Sequence, residues 1–208
     1  MGHFFALITA NDLTSKGQMT TSRTKLLLKK AAVPTRVELR LAQTFSDLEH
    51  SQTPINKRIA PLRICGVREY KIKGTRKAMV VFVPFAQLTA YHRIHSQLIT
   101  ALEKKFHNRQ IILVAKRRII PAPKRGTKYS QPIPRSRTLA DVQEKILNDV
   151  VYPAEIVGKR IRHRTDGTSY IKVHLERAVK NDIEPRLDSI RKVYEKLTGK
   201  EVRFEFPL

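Results

Sequence analysis

Between Lys104 and Ala140 the chain carries eleven Lys or Arg residues and no Asp or Glu, which makes this stretch the first place to look for chemistry. The chemistry such a run offers is neutralisation of phosphate. Cations fixed along an extended segment displace the counterions of a nucleic acid, which gives strong, salt-sensitive and largely sequence-independent affinity. Lys116, Arg117 and Arg118 leave an apolar run, and Lys124, Arg125, Lys128, Arg135 and Arg137 follow among Pro121, Pro123 and Pro134, which keep the loop extended. Tyr129 adds a ring on which an unpaired base can stack. The competing readings are a solvated basic loop, or an import signal read by a carrier, which needs only a cluster of roughly 5–8 basic residues.

A second cationic group reads from alternation. Arg160, Arg162 and Arg164 fall on one face of a strand, next to Lys159, and Lys172 falls on the same face of the strand that follows. Like charges opposite one another destabilise a bare sheet. An anion lying across that face removes the penalty, and side chains splayed into water reduce it. Arg76 and Lys77 precede another apolar run and complete the candidate phosphate contacts.

The alternatives to binding are poorly equipped. His92 and His95 lie one helical turn apart, but the nearest acid is Glu103 and a structural zinc needs about four ligands. Cys65 is the only cysteine, and an isolated cysteine among apolar neighbours is usually a small core side chain. The chain has no glycine-rich phosphate loop, no Gly-x-Ser-x-Gly elbow and no paired carboxylate motif. The expectation is a protein that is not an enzyme and uses no metal, cofactor or small-molecule substrate.

The elements that must hold these cations fit one sizeable core, since the chain has 208 residues, of which 41% are hydrophobic. Forty-one Lys and Arg against eighteen Asp and Glu give a formal charge of +23, so a compact form repels itself unless a polyanion is its partner. Nucleic acid and an anionic membrane both qualify. No apolar stretch approaches the ~20 residues needed to span a bilayer, and no membrane partner is expected. A single cysteine fits a reducing compartment. Phe4 to Ala10 is apolar but lacks the basic flank of a signal peptide, and Ala6 stands where a myristoylation motif needs Ser or Thr. A mitochondrial presequence competes for residues 20–45, and Met19 is an alternative start.

Periodicity supplies the elements. Val37, Leu41, Phe45 and Leu48 predict a short amphipathic helix. The runs 77–83 and 111–115 predict strands covered on both faces, and Leu88, Tyr91, Ile94, Leu98, Leu102 and Phe106 predict a helix over 85–107 that stops at Asn108. Strand, helix and strand form a crossover that makes the two strands parallel and right-handed. Thr138 and Asp141 resemble a capping box opening a helix over 138–150. Asp166-Gly167 signals a hairpin, and matching Ile161 with Ile171 requires a three-residue bulged loop rather than a two-residue turn. A last helix over 182–198, with Pro185 in its first turn and Gly199 as its stop, leads into a strand alternating at Val202, Phe204 and Phe206. The fold class is therefore mixed α/β: one domain with a central mixed sheet, a β-α-β crossover, helices packed on it and a basic β-hairpin. The expected division is a basic arm with a short helix over 1–56, and a mixed α/β domain carrying the candidate phosphate contacts over 57–208.

Specific strings then resemble the eukaryotic-type ribosomal protein S-seven family. They are Arg76-Lys77-Ala78, Arg117-Arg118-Ile119, Arg135-Ser136-Arg137-Thr138-Leu139, Glu155 to Ile161, Ile171 to Leu175, Leu197-Thr198-Gly199-Lys200 and Phe204-Glu205-Phe206-Pro207, in order over about two thirds of the chain from Lys71 onward. Upstream, the family's acidic, leucine-rich opening helix is replaced by basic sequence, and the basic loop is shorter than is usual there. The resemblance implies a structural constituent of the eukaryotic small ribosomal subunit, bound to small-subunit rRNA and packed against neighbouring ribosomal proteins. It also implies transient contact with assembly factors, a part in rRNA processing and translation, and residence in the cytoplasm after a nucleolar assembly stage. A free RNA- or DNA-binding assembly or chromatin factor is the alternative that the same charge supports, and an enzyme acting on nucleic acid is a third.

Overall fold

Successive residues of a strand point to opposite faces of its sheet, so a strand apolar at nearly every position must have a core on each side. The chain builds this around 77–84. The computed structural model describes residues 25–27, 33–51, 56–72, 76–126 and 131–207. In it β1 (Gly66–Lys71) pairs antiparallel with β2 (Lys77–Pro84), and β2 pairs parallel with β3 (Arg109–Lys116) in the register Lys77 to Arg109 through Pro84 to Lys116. Met79, Val81 and Val83 with Ile111, Leu113 and Ala115 enter one core, while Ala78 and Val80 with Ile112 and Val114 enter the other.

Helices α1 (Arg36–His50) and α2 (Asn56–Ile59) cover the first face, together with α3 (Leu88–Arg93) and α4 (His95–Lys105) of the crossover. Leu41, Phe45, Ile59, Tyr91, Leu98 and Leu102 are all fully buried there, each large side chain contributing roughly 1.5–3 kcal/mol by its removal from water. Glu38 ties α1 to the sheet. Its carboxylate accepts from the Thr35 N–H at 2.8 Å, covering an orphan donor at the helix start, and from the Val67 N–H of β1 at 3.1 Å.

On the other face lie α5 (Leu139–Val151) and α7 (Leu187–Thr198), backed by a second three-stranded sheet in which β5 (Ser169–Leu175) runs between β4 (Ile156–His163), antiparallel to it, and β6 (Glu201–Glu205), parallel to it. Leu147, Val150, Ile190, Val193 and Tyr194 meet Val173, Leu175, Val202 and Phe204 in this second core. The mixed α/β class and the parallel pairing of 77–84 with 109–116 are as the periodicity predicts, with the strands shared between two sheets. The hairpin loop is also as predicted. Arg164 and Thr168 are joined by a backbone hydrogen bond of 2.8 Å, Gly167 N–H donates to Arg164 O at 3.1 Å with Gly167 at φ +76°, and Ile161 pairs with Ile171. That is a three-residue loop closed by a left-handed glycine.

Three local expectations change. The helix over 85–107 opens with a 3-10 turn at Phe85–Gln87 and breaks at Ile94, whose φ of −115° leaves the helical range. On a regular helix of 3.6 residues per turn, two successive three-residue steps from Leu88 to Ile94 would carry Ile94 to the edge of the apolar stripe, and the break returns it to the core. The helix ends at Lys105 with Phe106 as its C-cap, short of Asn108, which stands in the left-handed region at φ 59° in the turn into β3. Thr138 stands at the N-cap of α5, but its hydroxyl donates to Arg135 O at 2.7 Å and Asp141 pairs with Lys145 at 2.9 Å, so the capping box does not form. The C-terminal helix is preceded by separate turns, α6 (Lys180–Ile183) and a 3-10 turn at Glu184–Arg186 that holds Pro185, because proline cannot supply a donor to a continuous helix. Gly199 ends α7 at φ 74°.

Candidate nucleic-acid interface

The basic loop leaves the first sheet where β3 ends and is drawn together at its base. Ile120 N–H donates to Arg137 O at 3.0 Å, and Arg135–Arg137 form a 3-10 turn that leads into α5. Residues 121–126 of the loop are exposed, with Lys124 and Arg125 before a turn at Gly126, whose φ is +88°. Lys128 and Tyr129 lie outside the described residues. Lys116, Arg118, Arg135 and Arg137 are exposed around the base, so the structure gathers them at the carboxyl ends of the parallel strands.

Arg117 is placed differently from its neighbours. Its guanidinium forms two hydrogen bonds to the Asp149 carboxylate of α5, one of 3.0 Å to Oδ1 and a shorter one to Oδ2, and the side chain is 9% exposed. Asp149 also accepts the Ala115 N–H at 2.9 Å. Arg117 lies over the Phe85 ring at 5.5 Å from its centroid. The run Lys116-Arg117-Arg118 therefore divides into two outward cations and one internal anchor.

The hairpin presents the second group. Arg160 pairs across to Lys172 and Arg162 to Tyr170, and β6 then sets Arg203 beside Lys172 and Glu201 beside Tyr170. The like-charge face is partly neutralised from within. Glu201 receives Arg164 at 3.3 Å and Arg203 at 3.2 Å, both guanidiniums flank the Tyr170 ring, and Lys172 meets Glu205 at 2.6 Å. The hydrogen bond from Lys172 holds the Glu205 carboxyl below the usual carboxylate range. Lys159 turns the other way, to Glu144 of α5 at 2.7 Å. Arg160 and Arg162 are exposed and form no close ion pair among the described residues, although Arg162 feels the Glu205 carboxylate at longer range.

Arg76 and Lys77 stand at the opposite end of β2 from Lys116, about 23 Å away along an eight-residue strand, beside Arg109 and Arg186 instead of the loop. Sequence reasoning missed Phe85 and Lys145, which line the cleft at the loop base with Lys116, Arg118, Ser136 and Arg137. It also missed Arg203, although strict alternation with Val202 and Phe204 already points it outward.

His92 and His95 pack on Tyr152, stacked at 4.0 Å and edge-on at 4.6 Å, and no group of metal-binding side chains is assembled among the described residues. Burial raises the Cys65 thiol pKa, with Lys116 opposing, which leaves it protonated and poorly nucleophilic near neutrality. No helix among the described residues is long and apolar enough to cross a membrane.

Comparison with known proteins defines the class first: this is a structural ribosomal protein and not an enzyme. More narrowly, the chain belongs to the family described as ribosomal protein S7e, whose sequence profile matches residues 25–206. It is 45% identical over 184 residues to small ribosomal subunit protein eS7 of Schizosaccharomyces pombe, covering 88% of this chain and 94% of that one. It is 43% identical over 189 residues to eS7B of Saccharomyces cerevisiae, covering 91% and 98%, and 42% identical over 186 residues to eS7 of Caenorhabditis elegans, covering 88% and 95%.

Proposed function

We propose that this protein is a structural constituent of the cytoplasmic small ribosomal subunit, bound to small-subunit rRNA and packed against neighbouring small-subunit proteins. It joins the subunit during a nucleolar stage, in transient contact with assembly factors, and supports rRNA processing before it supports translation. The names carried by its relatives support the subunit, and the charge distribution supports the RNA. The observation that carries the reading is the acid-free loop tied at its base by Ile120 and Arg137, which exports cations from a rigid sheet edge. Lys116, Arg118, Lys124, Arg125, Lys128, Arg135 and Arg137 contact phosphates from the loop, and Arg160 and Arg162 from the hairpin. Arg76 and Lys77 reach a separate stretch of backbone and Arg164 contributes from the edge of the hairpin, while Lys159, paired with Glu144, steadies the hairpin against α5. Arg117 acts indirectly, as the anchor of the loop base.

The test is sedimentation of the tagged protein from gently lysed cells, repeated at high salt to strip loosely held basic proteins. Co-migration with the small subunit that persists in high salt is the expected result. Release into light fractions would overturn the reading in favour of a free assembly or chromatin factor.

A further inference from the structure

Phe85 is a large apolar side chain left 62% exposed just past the end of β2, in which Ala78, Met79, Val80, Val81 and Val83 are buried. It follows Pro84 and lines a cleft of about 390 Å³ with Lys116, Arg117, Arg118, Ser136, Arg137 and Lys145. Cavities that take small ligands run from about 300 to 1,000 Å³ and pair an apolar wall with a few polar groups. This cleft has an aromatic wall and a cationic rim.

We propose that the cleft receives a single unpaired nucleotide of an RNA, with its base stacked on the open side of the Phe85 ring and its phosphate held by Lys116, Arg118 and Arg137. The inference rests on the RNA-binding reading above and specifies one subsite of it. Three observations carry it. First, the ring is held in place, because the Arg117 guanidinium covers it and is itself fixed by the buried carboxylate of Asp149. Second, Lys116, Arg118, Ser136 and Arg137 wall the same cleft, so hydrogen-bond donors for a phosphate stand beside the stacking surface. Third, Asp149 is committed to Arg117 and Asp141 to Lys145, while Lys116, Arg118 and Arg137 have no acid partner among the described residues, which leaves the rim net positive. A base inside a duplex is stacked on its neighbours and cannot lie on Phe85, so the ligand is a nucleotide from a loop, bulge or single strand.

The experiment compares the purified full chain with Phe85→Leu and Phe85→Trp against two probes, a single-stranded oligouridylate of about ten nucleotides and an RNA duplex, each over a salt series. Phe85 is exposed, so both substitutions leave the fold intact, which a thermal melt verifies. Phe85→Leu is expected to weaken single-strand binding about tenfold with the salt slope unchanged, to leave duplex binding as it was, and Phe85→Trp to bind like the parent. Equal single-strand affinity for Phe85→Leu and the parent, or an equal loss on both probes, overturns the stacking site and leaves RNA binding standing. A parent chain with no affinity for either probe overturns the RNA-binding reading, and this inference with it.

Discussion

Arg117 and Asp149 form a two-armed ion pair in which 9% of one side chain and 5% of the other is exposed, and it joins the end of β3 to α5 at the point where the basic loop departs. Two charges withdrawn from water are costly singly and tolerable together, since each offsets the desolvation of the other. The Ala115 N–H adds a third bond to the same carboxylate, so the edge strand, the loop base and the helix share one acceptor. An arginine that a composition count assigns to phosphate is in this way spent on holding its neighbours in position.

Asp149→Ala should therefore destabilise the protein by about 3–5 kcal/mol, because it leaves the Arg117 charge buried without its partner. Arg117→Met combined with Asp149→Leu should regain most of that, leaving chiefly the unpaired Ala115 N–H at about 1–3 kcal/mol. Urea unfolding of the two variants checks this. A wild-type midpoint for Asp149→Ala would mean that the pair anchors nothing.

How far the sequence discloses this arrangement depends on the kind of signal. Continuous apolar runs and three-to-four-residue spacing report burial directly, so β2, β3, α1 and α7 are legible, and matching Ile161 to Ile171 fixes the hairpin loop to the residue. Pairings distant in sequence leave no local trace. Glu201 and Glu205 reach the hairpin cations only because β6 lies parallel to β5, and nothing in 201–205 states which strand it will join. Strand β1 is equally silent, since Gly66, Arg68, Glu69 and Lys71 dilute its pattern. For the candidate site the cations are legible as types, whereas their division into outward contacts, Arg117 as anchor and Lys159 as partner of Glu144 is a matter of packing.

The internal acids of the hairpin face should compete with RNA. Arg160→Gln with Arg162→Gln is expected to lower the slope of log affinity against log salt by up to about two, at roughly 0.9 per phosphate contact. Glu205→Gln frees Lys172 and should strengthen binding a few-fold. Filter binding to small-subunit rRNA fragments across a salt series reads both, and weaker binding by Glu205→Gln would show that Lys172 does not face the RNA.

Gly167 closes the hairpin loop in a left-handed conformation with nothing near the position a Cβ would take, so the penalty of a side chain there is purely conformational. Gly167→Val should cost about 1–2 kcal/mol locally, and Gly167→Asn much less. Hydrogen exchange at the Arg164 amide, which donates to Thr168 O, should rise in the valine variant while exchange in β2 stays unchanged.

The buried imidazole of His95 makes stability depend on pH in a defined direction. Burial lowers its pKa to about 4, with the nearby His92 and Arg186 adding to the effect, while an unfolded chain titrates near 6.5. Tyr152 meets the ring edge-on, and Asp149, Asp182 and Arg186 line the same cavity. Because the folded pKa is depressed for a base, the unfolded chain binds the extra proton between these values. The contribution is complete above about pH 6.5 and is lost as pH falls toward 4, to at most about 3 kcal/mol. Carboxylates add their own acid dependence, so the test is a difference. His95→Phe should show a shallower fall in unfolding free energy between pH 7 and pH 5 than the parent, and parallel curves would show that the proton His95 refuses when folded does not contribute to acid lability.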